Sequence, residues 1–436
     1  MAEKITDEIQ IVILDSRQTF VRVGLALSVI AVLIFGWFAV RWQLGNMLAD
    51  LTLPSDVNAK SIADLAVGFA PNDPTTRRLA ASSQQNVFTT EAIEAMARSF
   101  ETVVQKSPND YRFWVELGRA REQAEKPDAA EKAYRRALEL APNYTKSHWQ
   151  TGNFYLRQNR SEEAFAELKK TAEFDSVYRD QVFSTAWDFY DKDTARLEEI
   201  AGGAPSVRAS LAKFYAAKQR PEDSLRIWNT LPEADKKANE AISKVIAQAF
   251  YEKKFFRQSL EFVRQIGLAP DLRGETVQNG SFEKPIGEAE VNYFDWVVLP
   301  IEKMTVKLDS TQKHEGSRSL RVAFSGYIEP QLFHLYQLVT VEPSAKYQLT
   351  FWMKTDSLKS GGTPEFEIYN ANDDKNIVTS EPFPTGTNDW QPVKLEFTAP
   401  ENAEAVGVRL IRVLCGTQCP IFGTIWLDDF KLERLK

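Results

Sequence analysis

Residues 111–142 read YRFWVELGRAREQAEKPDAAEKAYRRALELAP. Large and small side chains recur in this stretch at helical spacing, namely Trp114, Leu117, Gly118, Ala130, Tyr134, Ala137 and Pro142. Small residues such as Gly118 and Ala130 let two helices approach closely, whereas the larger residues fill the space between helix pairs. The stretch therefore predicts two packed helices joined by a short turn.

The same unit recurs along the chain. Pro74, Pro108 and Pro142 follow one another at a 34-residue interval, which is typical of stacked helical hairpins. Together with the pattern above, this period resembles the tetratricopeptide repeat family. The resemblance implies a helical solenoid over residues 61–273 whose concave groove holds proteins or peptides. The groove residues predicted to contact a partner are Arg119, Trp149, Asn153 and Arg157.

A long apolar stretch lies near the N-terminus. Val23 to Val40 contains no charged residue and lies between Arg22 and Arg41. At about 1.5 Å per residue it would cover about 27 Å, which is close to the hydrocarbon thickness of a bilayer. We therefore expect a transmembrane helix at residues 23–42. The alternative is a cleaved signal peptide, which this run exceeds in length and for which no A-x-A cleavage site follows closely.

Charge around the span predicts its orientation. Arg17 and Arg22 precede it, whereas only Arg41 follows it closely. By the positive-inside rule, residues 1–22 are then cytoplasmic. We expect a linker at residues 43–60 and a body that lies outside a bacterial cytoplasmic membrane, in the periplasm or beyond it.

Near Gly274 the helical period gives way to strand alternation. Seven strands are predicted, at 320–324, 336–341, 347–353, 366–369, 393–398, 406–413 and 424–432. Short turns between them predict an antiparallel β-sandwich over residues 274–436. The fold class is thus a single transmembrane helix, an α-helical solenoid and a β-sandwich of jelly-roll type.

Four segments of this last part occur in a recognisable order. They are 279–283 (NGSFE), 316–322 (GSRSLRV), 347–354 (YQLTFWMK) and 426–432 (WLDDFKL). They resemble the carbohydrate-binding modules of the galactose-binding-like jelly-roll type. The resemblance implies a polysaccharide ligand, although other members of this wider fold are structural attachments. It also implies a structural calcium ion near the two chain ends, with Glu283 and Asp428 as its ligands. The alternative is that these two acids make ordinary hydrogen bonds in a turn and at a strand end.

Sugar rings stack on exposed aromatic side chains, so exposed aromatics mark candidate sugar contacts. Strand alternation predicts that Trp352 and Tyr369 project away from the core between the sheets, and Tyr327 lies near a connecting segment. The alternative is that these rings cover an edge of the core.

The two cysteines, Cys415 and Cys419, are separated by three residues. They would pair across a loop if this part of the chain lies outside the cytoplasm. Metal binding is the other interpretation, but it needs two further ligands, and the three histidines show no ligand spacing with the cysteines.

Composition argues against two classes of function. The net charge is −7 and acidic and basic residues are interspersed, which argues against nucleic-acid binding. The sequence has no glycine-rich phosphate loop, G-x-S-x-G turn or H-E-x-x-H helix, so we expect no enzyme, no catalytic residue and no required cofactor. Asp428 and Asp429 are adjacent in a strand and should face opposite sides of the sheet, which does not suit a glycosidase pair.

The combined prediction is a membrane-anchored scaffold. It would bind protein partners through the solenoid and a glycan through the sandwich, in cell-envelope or exopolysaccharide assembly or export. The alternative is a purely protein–protein scaffold in which the sandwich caps the solenoid.

Overall fold

The computed structural model describes residues 18–83, 89–286, 293–327, 333–413, 415–416 and 419–436. The chain divides into two compact units, one ending at Gly202 and the other beginning at Gly203. Residues 1–17, most of the predicted cytoplasmic segment, lie outside the described part.

Helix α1 runs from Thr19 to Leu51, and its mean hydropathy over the most apolar window is 2.5. By length and composition it could cross a membrane, as an anchor or as a signal sequence. Within the described residues, its large apolar side chains from Val23 to Trp42 are exposed.

α1 extends further than the predicted span. The stretch expected to be a linker is helical as far as Leu51, because Gly45 and Ala49 are buried against the next helices. A Cβ on Gly45 would lie 2.8 Å from the Cβ of Ala70, so the two backbones are in close contact. Trp42 Nε1 also donates a 2.8 Å hydrogen bond to Asp73.

The rest of the first unit consists of helix pairs. Its helices are α2 Ala59–Phe69, α3 Pro74–Ser82, α4 Thr90–Lys106, α5 Tyr111–Gln123, α6 Pro127–Leu140, α7 Thr145–Arg157, α8 Ser161–Phe174, α9 Arg179–Phe189 and α10 Thr194–Ala201, with a 3₁₀ turn at Ser176–Tyr178. Gly118 of α5 lies against the Tyr134 ring of α6, and Gly152 of α7 lies against Leu168 of α8. The glycines therefore set the close approach within each pair, as the sequence pattern predicts.

The second unit begins with five helices, α11 Pro205–Ala217, α12 Pro221–Asn229, α13 Glu233–Ala238, α14 Glu240–Glu252 and α15 Phe256–Gln265. Ten strands follow among the described residues: β1 Val297–Val298, β2 Met304–Asp309, β3 Ser319–Tyr327, β4 Leu335–Thr340, β5 Lys346–Lys359, β6 Pro364–Asn370, β7 Asn376–Thr379, β8 Gly386–Thr398, β9 Ala405–Arg412 and β10 Pro420–Arg434. The seven predicted strands correspond to β3, β4, β5, β6, β8, β9 and β10.

In the part of the chain that the structure describes, the strands form two five-stranded antiparallel sheets. Sheet A has the order β1-β4-β9-β6-β7, and sheet B has the order β2-β3-β10-β5-β8. Phe351 of sheet B stacks on Phe430 with ring centroids 4.5 Å apart, and both contact Phe366 of sheet A in the core between the sheets. The predicted fold class, a helical region followed by an antiparallel sandwich, is confirmed.

Candidate functional sites

Trp352 lies on the outer face of sheet B, but one face of its indole is already occupied. The His314 ring stacks on it with centroids 3.9 Å apart and planes inclined by 15°. Trp390 meets the same imidazole edge-on at 5.8 Å. A sugar could use this indole face only by displacing His314.

His314 is held in place by the two adjacent acids of β10. Its backbone N–H donates to Asp428 Oδ2 at 2.9 Å, and its Nδ1 lies 2.7 Å from Asp429 Oδ2. The expectation that these acids face opposite sides of the sheet is wrong, because the register shifts after Asp428 and Asp429 has a left-handed backbone with φ of 52°. Burial is the main cause that raises the pKa of Asp428 to about 6.

Tyr369 lies on the outer face of sheet A, but its ring is buried and therefore does not offer a surface on which a sugar could stack. Only 7% of it is accessible. Its ring covers Gly407 on the neighbouring strand, where a Cβ would overlap the ring. The guanidinium of Arg409 lies 4.0 Å from the ring centroid and covers it further.

A row of side chains crosses this face of sheet A. Tyr336, Arg409 and Glu367 are register partners on the adjacent strands β4, β9 and β6. Arg409 forms an ion pair with Glu367, and its guanidinium lies 3.9 Å from the ring centroid of Phe333, which is 37% exposed. The row therefore combines aromatic surface with paired charges.

The end of α14 packs on the aromatic residues that precede β1. Tyr251, on the last turn of α14, lies 5.0 Å from the Tyr293 ring and 5.6 Å from the Phe294 ring. Burial, followed by the nearby phenols of Tyr336 and Tyr369, raises the pKa of Tyr251 well above its usual range. Sequence patterns carried no signal for Tyr251, Arg409 or Glu367, because these residues come together only through strand pairing and helix docking.

The docking of α14 and α15 on the sandwich is polar as well as aromatic. Lys254 donates to Asp374 and to the carbonyl of Asn372, both at 3.0 Å. Arg257 donates to the carbonyl of Val341 at 2.9 Å and pairs with Glu342. The last helix pair and the sandwich thus form a continuous structure within the second unit.

Tyr327 is 47% exposed and lies apart from the other two candidate sugar contacts. It is opposite Pro420 at the start of β10, whereas Trp352 is opposite Asp428. These positions are eight residues apart along β10, about 26 Å at roughly 3.3 Å per residue. The structure therefore does not bring Trp352, Tyr369 and Tyr327 into one site.

In the first unit, the four predicted groove residues lie on α5 and α7. Arg157 donates two hydrogen bonds to Glu122, one of them at 2.9 Å, and Arg119 pairs with Glu116 at 3.2 Å. Asn153 donates to the carbonyl of Trp149 at 2.8 Å. The Trp149 ring packs 5.3 Å from that of Tyr178 and is half-buried.

A groove of about 380 Å³ lies beside these helices. Its walls include Tyr111 and Tyr144, whose ring centroids are 4.6 Å apart, and the cations Arg78 and Lys146. Asp50, at the end of α1, also lines it.

The two predicted calcium ligands lie around the same turn. Glu283 accepts hydrogen bonds from Ser317 N at 2.7 Å, Arg318 N at 3.2 Å and Ser317 Oγ. Asp428 accepts from the backbone of His314 and of Asp429. All four carboxylate oxygens therefore already accept hydrogen bonds from the protein.

Cys415 and Cys419 are joined by a disulfide, with Cα atoms 5.7 Å apart. The buried Arg412 donates to the carbonyls of Cys419 at 3.0 Å and Gly362 at 3.1 Å and to Ser360 Oγ at 2.8 Å. The loop is therefore secured both covalently and by one guanidinium.

Comparisons with known proteins agree with this architecture. Residues 91–145 and 115–176 match the family model described as "Tetratricopeptide repeat". Residues 274–411 match the model described as "Carbohydrate binding domain". The two predicted resemblances are confirmed, and both types of domain are typically non-catalytic. No curated protein matches the chain significantly.

Several solved structures resemble parts of the chain. One described as "CBM4 structure and function" is 16% identical and covers 36% of this chain and 99% of its own, with a TM-score of 0.27. MamA from Desulfovibrio magneticus RS-1 is 22% identical over 31% of this chain and 75% of its own, with a TM-score of 0.27. A thermophilic TPR protein of Thermus thermophilus is 17% identical, and the match covers 49% of this chain and 98% of that protein. Its TM-score is also 0.27.

Proposed function

We propose that this chain is a non-catalytic scaffold anchored in a bacterial cytoplasmic membrane by α1, with its body in the periplasm or outside the cell. Its helical repeats bind protein partners, and its sandwich binds a glycan during cell-envelope or exopolysaccharide assembly or export. The match of residues 274–411 to a carbohydrate-binding model is the observation that carries the glycan role.

The continuity of α1 supports a retained anchor rather than a cleaved signal peptide. Its final turns are part of the first unit, since Arg41 donates to the carbonyl of Gly68 at 2.7 Å and Trp42 donates to Asp73. Cleavage just after Trp42 would remove both of these side chains and break their hydrogen bonds to the rest of the unit. The expected result is an intact N-terminus, shown by mass spectrometry, and a protein that stays in the membrane pellet after an alkaline wash.

Arg119, Trp149, Asn153 and Arg157 remain the proposed contacts for a protein partner. Trp149 is the strongest of them, because the side chains of Arg119 and Arg157 are already paired with acids. Calcium binding at Glu283 and Asp428 also remains a prediction, and it would require their present hydrogen bonds to be shared or replaced.

The glycan role is tested with the full chain in detergent, by affinity electrophoresis in gels that contain bacterial or plant polysaccharides. Retardation by at least one polysaccharide is expected. Trp352→Ala serves as the paired variant for the predicted site on sheet B. Normal migration of the folded chain in every gel would overturn the glycan role.

That outcome would favour a second function, a protein–protein scaffold in which the sandwich caps the solenoid. A specific observation supports it: α14 and α15 dock on the sandwich through Lys254 and Arg257. The last helix pair is covered there rather than left open to solvent.

A further inference from the structure

We propose that the disulfide between Cys415 and Cys419 is a thiol–disulfide exchange site, in which an external dithiol attacks Cys415 and Cys419 leaves as a thiolate. The substrate class is a dithiol, such as the pair of thiols in the active site of a thiol oxidoreductase. Both cysteines lie after the matched carbohydrate-binding region, residues 274–411. The proposal depends on neither the glycan role nor the protein-partner role.

The two sulfur atoms lie in different environments. Cys419 is buried, with 3% of the residue accessible, whereas Cys415 is half-buried. Gly361, which lies beside Cys415, is exposed, and a Cβ added to it would lie 3.8 Å from Cys415 Sγ. Because a glycine stands where a side chain would shield this sulfur, Cys415 is the one that an external thiolate can reach.

A cation and a hydroxyl lie against the buried sulfur. Arg412 Nη2 donates to Cys419 Sγ at 3.2 Å, and Ser360 Oγ lies 3.5 Å from the same sulfur. Burial alone disfavours a thiolate, but an adjacent guanidinium stabilises one. Since a stabilised thiolate leaves faster in disulfide exchange, the bond should break with its electron pair on Cys419.

The surroundings of Cys419 do not depend on the disulfide. The guanidinium of Arg412 also donates to the carbonyls of Cys419 at 3.0 Å and Gly362 at 3.1 Å, and to Ser360 Oγ at 2.8 Å. None of these three acceptors is a sulfur atom, so the bonds persist when the disulfide opens. The reduced site can therefore be oxidised again without refolding of the strands.

Exchange takes two steps. A thiolate of the dithiol attacks Cys415 Sγ, a mixed disulfide forms there, and the bond to Cys419 breaks with its electron pair on Cys419 Sγ. The second thiol of the dithiol loses its proton to solvent and attacks the mixed disulfide, and Cys415 leaves and takes up a proton from solvent. The dithiol is thus oxidised to a disulfide, and this chain is reduced to a thiol at Cys415 and a thiolate at Cys419.

The test uses the oxidised full chain in detergent, with dithiothreitol as the dithiol probe at pH 7. Samples are quenched with acid, and free thiols are counted by alkylation and mass spectrometry. We expect the folded chain to be reduced about tenfold faster than the same chain unfolded in concentrated urea, because only the folded state places Arg412 beside Cys419. An equal or slower rate in the folded chain would overturn the proposal, since folding protects a purely structural disulfide.

Two variants test the two halves of the mechanism, after tryptophan fluorescence has shown that each is folded. Arg412→Gln should slow reduction of the folded chain about tenfold, and Gly361→Leu should slow it by a similar factor because its side chain covers Cys415. Gly203→Leu, in the same unit and with nothing within 4 Å of the added Cβ, is the matched control. An unchanged rate in Arg412→Gln would contradict Cys419 as the leaving thiolate, and an unchanged rate in Gly361→Leu would contradict Cys415 as the attacked sulfur.

A last measurement needs no variant of this chain. A thioredoxin that lacks its second active-site cysteine cannot complete the exchange, so it should be captured on the wild-type chain as a mixed disulfide. Peptide mapping after acid quenching should find this adduct on Cys415. An adduct found mainly on Cys419 would refute the proposed direction of attack.

Discussion

Asp309, at the end of β2, is a carboxylate held ionised by its neighbours. It accepts hydrogen bonds from Thr311 N at 2.7 Å and from Trp426 Nε1 at 2.9 Å. Burial alone would raise its pKa, but the hydrogen bonds from Thr311, Trp426 and Gln312 outweigh it and lower the pKa to about 2. This carboxylate links the loop after β2 to the indole of β10, and the same loop carries His314 over Asp428.

The contribution of Asp309 to stability should therefore depend on pH. Because its pKa in the folded protein lies below the ordinary 3.8, the stabilisation is present above about pH 4 and is lost as the pH falls towards 2. Asp309→Ala should lower the free energy of unfolding of the second unit by about 1–2 kcal/mol at pH 7. Urea unfolding followed by tryptophan fluorescence at pH 7, 4 and 3 measures the difference. Asp309→Asn, which cannot ionise, is the control. If the difference in free energy of unfolding between wild type and Asp309→Asn did not change with pH, the lowered pKa of Asp309 would be contradicted.

For single residues, the sequence predicts the direction of a side chain but not its accessibility. Alternation places Trp352 and Tyr369 on outer faces of the sheets, because side-chain direction in a strand is a local property. The solvent accessibility of these two side chains, by contrast, depends on residues that are distant in the sequence. Trp352 is covered by His314, and Tyr369 by Arg409 and by its contact with Gly407, and these residues are brought close only by the tertiary fold.

Among the elements, α1 and the edge strands depart most from the sequence-based expectation. Residues 43–51 are of mixed polarity, so their helical burial is visible only once Gly45 and Ala49 are seen to face α2. The three strands that were not predicted, β1, β2 and β7, all lie at sheet edges. Strands at an edge bury less surface, and β1 and β7 are too short for a clear alternation of polarity. The repeat helices were predictable because their pattern is local and periodic.

Two glycines in helices give a matched test of the repeat packing. A Cβ on Gly118 would lie 2.7 Å from the buried Tyr134 ring, whereas a Cβ on Gly68 of α2 would meet nothing within 4 Å. Gly118→Ala should therefore destabilise the first unit by about 1–3 kcal/mol through overpacking. Gly68→Ala should stabilise it by about 0.5–1 kcal/mol, because alanine is the better helix former. Thermal unfolding of both variants followed by circular dichroism measures the two changes, and shifts of the same sign would refute the close packing of α5 on α6.

At the scale of the whole molecule, the change of sequence pattern near Gly274 marks a change of secondary structure but not a break in packing. Helices α11–α15 belong to the same compact unit as the sandwich. The sequence shows where strands replace helices because periodicity is local. It does not show that Lys254 and Arg257 join the last helix pair to the loops of sheet A, since those contacts span more than 80 residues of chain.

Orientation in the membrane is a property of the whole chain. The redox state of Cys415 and Cys419 indicates on which side of the membrane the body lies. A disulfide persists in an oxidising compartment and is reduced in the cytosol, where glutathione and thioredoxin keep thiols free. If α1 places the body outside the cytoplasm, intact cells trapped with acid and treated with a maleimide under denaturing conditions should show no labelled cysteine until reductant is added. Cys419→Ser, which leaves Cys415 unpaired, is the control and should be labelled without reductant. Full labelling of the wild-type chain before reduction would place the body in the cytoplasm and reverse the proposed topology, because both thiols would then be free.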